Sequence, residues 1–157
     1  MNIRIFKEQQ EYEPTLKKME ALVAEIIAGN AEEEIWFLEH PDLYTAGTSA
    51  NEKDLLTDEL PVFNVGRGGE YTYHGPGQRV AYFMLDLKKH YPKPDLRKFV
   101  KDLENWVITS LAEVGIEAFI REGRVGIWVK DQSSGANSLG GESKIGAIGI
   151  RVRKWIR

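Results

Sequence analysis

Apolar residues at Leu16, Met19, Leu22, Val23, Ile26 and Ile27 recur at helical spacing and predict an amphipathic helix over Tyr12–Ala28. Pro14 suits its first turn, and Gly29-Asn30 suits its end. A second helical pattern runs from Leu96 to Val114, with Leu96, Phe99, Val100, Leu103, Trp106, Val107 and Leu111 on its apolar face and Gly115 as the stop. Between the two, Ile35-Trp36-Phe37-Leu38 is a short apolar run bounded by charge and Pro41, which predicts a buried strand. Val62–Val65 and Val80–Leu85 predict two more strands. Ile116–Ile120 and Val125–Val129 read as a pair joined around Glu122-Gly123. Asp131–Ser143 is rich in Gly, Ser and Asn and is expected to be a mobile loop. Lys144–Val152, Lys-Ile-Gly-Ala-Ile-Gly-Ile-Arg-Val, is expected to be the last complete strand. Helices mixed with hairpin-like strand pairs predict an α+β fold. No repeat or linker interrupts the pattern, so residues 1–157 are expected to form a single domain.

Composition narrows the function classes. Hydrophobic residues make up 42% of the 157-residue chain and charged residues 29%, the balance of a soluble globular protein. No apolar run is long enough for a bilayer, and Met-Asn-Ile-Arg-Ile-Phe-Lys lacks the apolar core of a secretory signal, so the expected location is cytoplasmic with no membrane association. A formal charge of −3 argues against general nucleic-acid binding. With no cysteine, the sequence as written has no disulfide, no thiolate metal site and no thiol nucleophile. His40, His74 and His90 are too scattered for a metal site, and none is expected.

One segment concentrates chemistry: Arg67-Gly68-Gly69-Glu70-Tyr71-Thr72-Tyr73-His74-Gly75-Pro76-Gly77-Gln78. Glycines there let the backbone approach a ligand, and Pro76 fixes the turn between Gly75 and Gly77. Arg67 supplies a fixed charge, His74 a titratable group, and Thr72 and Tyr73 hydroxyls. The segment is neither a phosphate-binding P-loop nor a dinucleotide fingerprint, because the lysine and the spacing differ. Residue chemistry alone leaves two readings open: a substrate cradle, or a tight connection between core strands with Arg67 in a surface salt bridge. His40, beside Pro41, reads as a structural turn histidine, and His90, beside Lys88-Lys89, as a solvated one.

Taken whole, Arg67–Gln78 resembles the signature of the lipoyl(octanoyl) transferases, the octanoyl-[acyl carrier protein]:protein octanoyltransferases of lipoate synthesis. Leu38-Glu39-His40-Pro41 with Tyr44-Thr45-Ala46-Gly47, the segment ending Leu85-Asp86-Leu87, and Lys144–Val152 resemble further parts of that family in the same order. The resemblance implies the fold of the biotin and lipoate protein ligase catalytic domains, a mixed β-sheet packed against helices. It implies transfer of an octanoyl group from octanoyl-acyl carrier protein to a lysine of lipoyl domains, those of 2-oxoacid dehydrogenase complexes and the glycine cleavage H protein. No cofactor is implied, and a monomer is expected. In the implied chemistry a cysteine takes the acyl group as a thioester and a lysine supports the thiolate. By position that lysine is Lys144. Arg67, Gly68, Gly69, Glu70, Tyr71, Thr72, Tyr73 and His74, with Ala147, Ile148 and Gly149, are placed along the substrate pocket. The residues themselves add that Gly146, Ala147 and Gly149 leave room for a slim acyl chain or, equally, for close helix–sheet packing. A bulge at Gly146 would invert which side of that strand faces the pocket.

The sequence departs from the family at one point. The family's cysteine lies beyond the lysine strand, where this sequence has reached Arg157. The expectation is a domain incomplete at its C-terminal end, with a second polypeptide supplying the rest or a non-catalytic relic as the alternatives. The other function classes are therefore a binding or scaffold protein for acyl carrier protein or lipoyl domains, and an ATP-dependent lipoate or biotin ligase of the same fold. The basic stretch Arg151, Arg153, Lys154 and Arg157 reads either as a docking patch for such acidic partners or as an exposed strand of alternating charge.

Overall fold

In a computed structural model of the protein, which describes residues 1–57, 59–93, 95–130 and 141–153, the first helical pattern forms helix α1 over Tyr12–Ala28, with the bounds its spacing predicts. Gly29 closes it in the left-handed region at φ +80°, and the Gly29 and Asn30 amides donate to the carbonyls of Ile26 and Glu25. The chain divides into two compact units, Met1–Pro94 with Arg151–Arg157, and Asp95–Ile150.

In the first unit, strands β1 (Asn2–Ile5), β2 (Glu34–Leu38), β3 (Leu43–Ala46), β4 (Val62–Asn64), β5 (Tyr71–His74) and β6 (Val80–Met84) make two three-stranded sheets. One has the order β1-β2-β6, parallel then antiparallel; the other has β3 between parallel β4 and antiparallel β5. Along β2, Trp36 and Leu38 alternate with half-buried Ile35 and Phe37. Trp36, Leu38, Met84 and Ile26 form the core, flanked by Phe6, Met19, Leu22, Val23 and Tyr82. Burying each such large apolar side chain contributes about 1.5–3 kcal/mol. The outer edge of this core is polar but paired. Buried Glu34 accepts from Trp36 Nε1 at 2.6 Å and meets Arg4 Nε at 2.7 Å.

Three expectations change here. His90, at the end of the short helix α2 (Leu87–His90), is not simply solvated: its Nε2 lies 2.9 Å from buried Glu33, which also accepts from the Asp86 amide at 2.7 Å. Arg151 Nη1 pairs with Glu20 at 3.0 Å and Arg153 joins the same carboxylate, so these two charges of the basic stretch are tied to α1. Lys154 and Arg157 lie outside the described residues. The proposed last strand over Lys144–Val152 is instead β9, Glu142–Gly146, with no regular element over residues 147–153.

The second unit holds α3 (Leu96–Ala112) and the antiparallel sheet β7 (Ala118–Arg121), β8 (Arg124–Lys130), β9. Asp95 caps α3, accepting from the Arg97 and Lys98 amides at 2.9 and 3.0 Å. The helix packs on β7 and β8, and its buried stripe is rotated from the predicted one: Glu104 is buried and Trp106 is 43% exposed. These two residues sit on opposite edges of the apolar face at 100° per residue, so a modest rotation exchanges them. Gly123, at φ +75°, makes the two-residue turn between β7 and β8. Of the expected loop Asp131–Ser143, residues 131–140 lie outside the described residues, while Glu142 and Ser143 open β9.

Candidate active site

The glycine-rich segment is only partly a loop. Its second half is strand β5, paired with β3 so that Thr45 faces Thr72 and Leu43 faces His74. Its first half, Arg67–Glu70, is zipped to the residues after β3. Gly47, Thr48 and Ser49 donate their amides to the carbonyls of Glu70, Arg67 and Gly69, at 3.2, 3.0 and 3.1 Å. The approach is so close that a Cβ at Gly47 would lie 2.1 Å from the Gly69 carbonyl oxygen. Gly69 itself has φ +91°, a conformation that glycine adopts without strain.

Arg67 holds this assembly from inside. Its Nη1 donates to the carbonyls of Gly68 and Glu70 at 3.0 and 3.1 Å. Its Nη2 donates to Thr45 O, Thr45 Oγ1 and Thr72 Oγ1 at 3.0, 2.7 and 2.9 Å. A guanidinium suits this role because its planar fork carries several donors in fixed directions. Its partners are carbonyl and hydroxyl oxygens, so the surface-salt-bridge reading fails. Burial lowers its pKa from the ordinary arginine value, with Tyr12 and Tyr82 acting the other way.

Beyond Thr45 the network reaches two histidines. His74 Nε2 is 3.3 Å from Thr45 Oγ1, and His74 Nδ1 is 2.9 Å from Gln78 Oε1. Because Thr45 Oγ1 accepts from Arg67, its proton is free to be donated to Nε2. The imidazole then carries its proton on Nδ1 and donates to Gln78. His40, fully buried, donates from Nδ1 to the Gln10 carbonyl and accepts at Nε2 from Tyr82 Oη at 2.9 Å. The two imidazole rings are 5.9 Å apart, and Tyr12 packs against His40 at 5.3 Å. Burial, then the neighbouring His40, lowers the His74 pKa to about 4. Burial likewise lowers that of His40 and raises those of Tyr82 and Tyr12. The cluster is therefore neutral except for Arg67.

Of the sequence-selected residues, Arg67, Thr72 and His74 meet around Thr45. Tyr71 is half-buried, and Gly68, Gly69 and Glu70 are exposed. Tyr73 is 43% exposed, and its hydroxyl donates to Asp42. Lys144, Ala147, Ile148 and Gly149 belong to the second unit. Lys144 is exposed on β9 opposite Trp128, and Ile148 is half-buried between exposed Ala147 and Gly149. The register of β9 against β8 shifts between Lys144 and Gly146, leaving Ile145 as the extra residue, so the strand is bulged close to where sequence parity becomes ambiguous. Sequence reasoning missed Thr45, Gly47, Tyr12 and Tyr82. The available signal was Tyr44-Thr45-Ala46-Gly47, whose small residues ask for a close backbone neighbour.

A family model described as the lipoyl protein ligase A/B catalytic domain matches residues 11–157. The chain belongs to the lipoyl protein ligase A/B catalytic-domain family. Similar relatives include an octanoyltransferase of Parvibaculum lavamentivorans, 58% identical over 146 residues, and one of Bartonella henselae, 57% identical over 149. These alignments cover 92% and 93% of this chain but 63% and 60% of the relatives, so the chain spans about three-fifths of the length of the curated relatives it matches. Among solved structures, one provisionally named a lipoate protein ligase from T. acidophilum aligns with a TM-score of 0.51 at 19% identity, over 80% of this chain and 53% of that one. That likeness carries the fold, and with the family match it establishes the α+β architecture of biotin and lipoate ligase catalytic domains.

Proposed function

We propose that this lipoyl protein ligase A/B family chain takes part in octanoyl transfer from octanoyl-acyl carrier protein to the lysine of lipoyl domains, including those of 2-oxoacid dehydrogenase complexes and the glycine cleavage H protein. The observation that carries the reading is the identity of 58% and 57% to proteins named octanoyltransferases, across nearly all of this sequence. The proposal gives the two units separate tasks. Arg67–His74 would face the acyl thioester with the exposed backbone of Gly68 and Gly69, on a support held rigid by the Arg67 guanidinium. Ala147, Ile148 and Gly149 would flank the acyl chain. Lys144 would hold a thiolate in its charged form and shuttle its proton. The 157 residues contain no cysteine, so by themselves they would bind and orient the thioester without forming an acyl-enzyme. The proposed setting is the cytoplasm, and the proposed state a monomer.

The test is titration of the 157-residue chain with octanoyl-acyl carrier protein and with the unacylated carrier, together with intact-mass measurement. The expected result is tighter binding of the octanoylated carrier and no hydroxylamine-sensitive adduct. Equal affinity for both carriers would remove the acyl site. An octanoyl adduct would point to a nucleophile other than cysteine.

A further inference from the structure

Gly126 lies buried in β8 at φ +128°, a conformation that side chains rarely adopt. A Cβ there would sit 2.3 Å from Lys144 Cε, 3.0 Å from Lys144 Nζ and 2.7 Å from the Gly146 carbonyl oxygen. The missing side chain is thus the slot through which the Lys144 stem runs. Two residues on, Trp128 stands opposite Lys144, and Lys144 Nζ is 5.8 Å from the centroid of the Trp128 ring, within cation–π range. The indole is itself held: the Arg124 guanidinium stacks 3.7 Å from its centroid, and Trp128 Nε1 donates to the Arg124 carbonyl at 3.2 Å. Both neighbouring ladders are irregular here. The β7–β8 register shifts between Phe119 and Arg121, and the β8–β9 register shifts between Ile127 and Trp128. Such irregularities re-aim a side chain and recur beside active sites.

We propose that Gly126 and Trp128 are positioning residues for Lys144, forming a seat on β8 that fixes where its ammonium group is presented. A lysine on an ordinary strand samples many rotamers and needs no gap beneath it. Here a backbone conformation that favours glycine opens the gap, and a pinned aromatic face receives the charge. The importance of the seat rests on the reading of Lys144 as the lysine of acyl transfer; its existence does not.

The experiment labels lysine Cε with ¹³C in the 157-residue chain and assigns Lys144 by its loss in Lys144→Arg. In the parent, the two Lys144 Hε protons are expected to be inequivalent and displaced upfield by the indole ring. Gly126→Ala and Trp128→Leu should move them to the position of a free lysine while the other lysine signals stay in place. Trp128→Phe, which keeps a ring, should retain much of the displacement. If Gly126→Ala does not fold, the parent spectrum and the two Trp128 variants still decide. A free-lysine signal in the parent, or a signal indifferent to Trp128→Leu, overturns the seat. The acyl-transfer reading is judged separately, by preference for the octanoylated carrier. Loss of that preference with the Lys144 signature intact would sink that reading and leave the seat standing.

Discussion

Replacing Arg67 by alanine tests whether this residue braces the glycine-rich segment or merely decorates it. The substitution removes donors from Thr45 O, Thr45 Oγ1, Thr72 Oγ1, Gly68 O and Glu70 O. Bonds to buried Thr45 and half-buried Thr72 are worth about 1 kcal/mol each net, and those to the exposed carbonyls, which water can replace, about 0.5. Desolvation of the guanidinium, visible in its lowered pKa, works against them. The balance is a destabilisation of about 2–3 kcal/mol, the size expected when a half-buried network is broken. A melting experiment should show a fall of about 4–12 °C. Amide exchange should quicken at Thr48 and Ser49, whose protons go to the Arg67 and Gly69 carbonyls. Arg67→Lys should recover less than half, because one ammonium cannot reach oxygens on both strands and in the turn. A melting temperature within about 1 °C of the parent, with Thr48 and Ser49 still protected, would refute the bracing role. An arginine kept only for substrate would behave that way.

Gly69→Val should cost stability as well as binding, by about 1–3 kcal/mol, because φ +91° strains a β-branched residue; Gly68→Ala, where a Cβ meets nothing within 4 Å, should melt like the parent. A Gly69→Val protein as stable as the parent would mean that the turn relaxes freely. Acid should destabilise the first unit before most carboxylates titrate. The unfolded His74 takes a proton near its ordinary 6.5 and the folded one only near 4, so the unfolded state binds more protons in between. Stability is then fully present above about 6.5 and is lost as pH falls toward 4, by about 1–2 kcal/mol once partial exposure of the ring is allowed for. Melting at pH 7.5 and 4.5 should show this slope weakened in His74→Gln; an unchanged slope would assign it elsewhere.

The two long helices were legible because a 3.6-residue period over seventeen residues leaves little ambiguity, and α1 starts and stops where Tyr12 and Gly29 say it should. The apolar strands β2 and β6 were legible for a similar reason. Strands β3 and β5 were not, since Leu-Tyr-Thr-Ala and Tyr-Thr-Tyr-His carry hydroxyls where a strand reader looks for aliphatic residues. Their pairing depends on contacts between residues far apart in sequence, and propensity does not encode such contacts. The last strand failed differently. Ile-Gly-Ala-Ile-Gly-Ile continues an apolar pattern past Gly146, but hydrogen bonding to β8 stops there, and backbone pairing, not side-chain character, ends a strand.

Of the cluster around Thr45, the sequence marked Arg67, Thr72 and His74 but not the residue that joins them. Arg67 and His74 stand out in the glycine-rich segment, and composition suggests that one brings charge and the other titrates. The structure couples them through Thr45, a residue 22 positions away from Arg67 that nothing in its neighbours marks as polar machinery. An arginine cannot accept a hydrogen bond, so Thr45 Oγ1 accepts from it and keeps its own proton for another partner. Because Gln78 Oε1 accepts from His74 Nδ1, the neutral imidazole leaves Nε2 unprotonated to receive the Thr45 proton, which agrees with the low pKa that burial produces. Burial and the neighbouring His40 do most to keep His74 neutral, and the positive charge of Arg67 adds a smaller repulsion. A sequence shows donors and acceptors as types. Which way each bond runs is fixed only when the strands pair, so at neutral pH the histidine that looks titratable from the sequence is held in a single neutral tautomer.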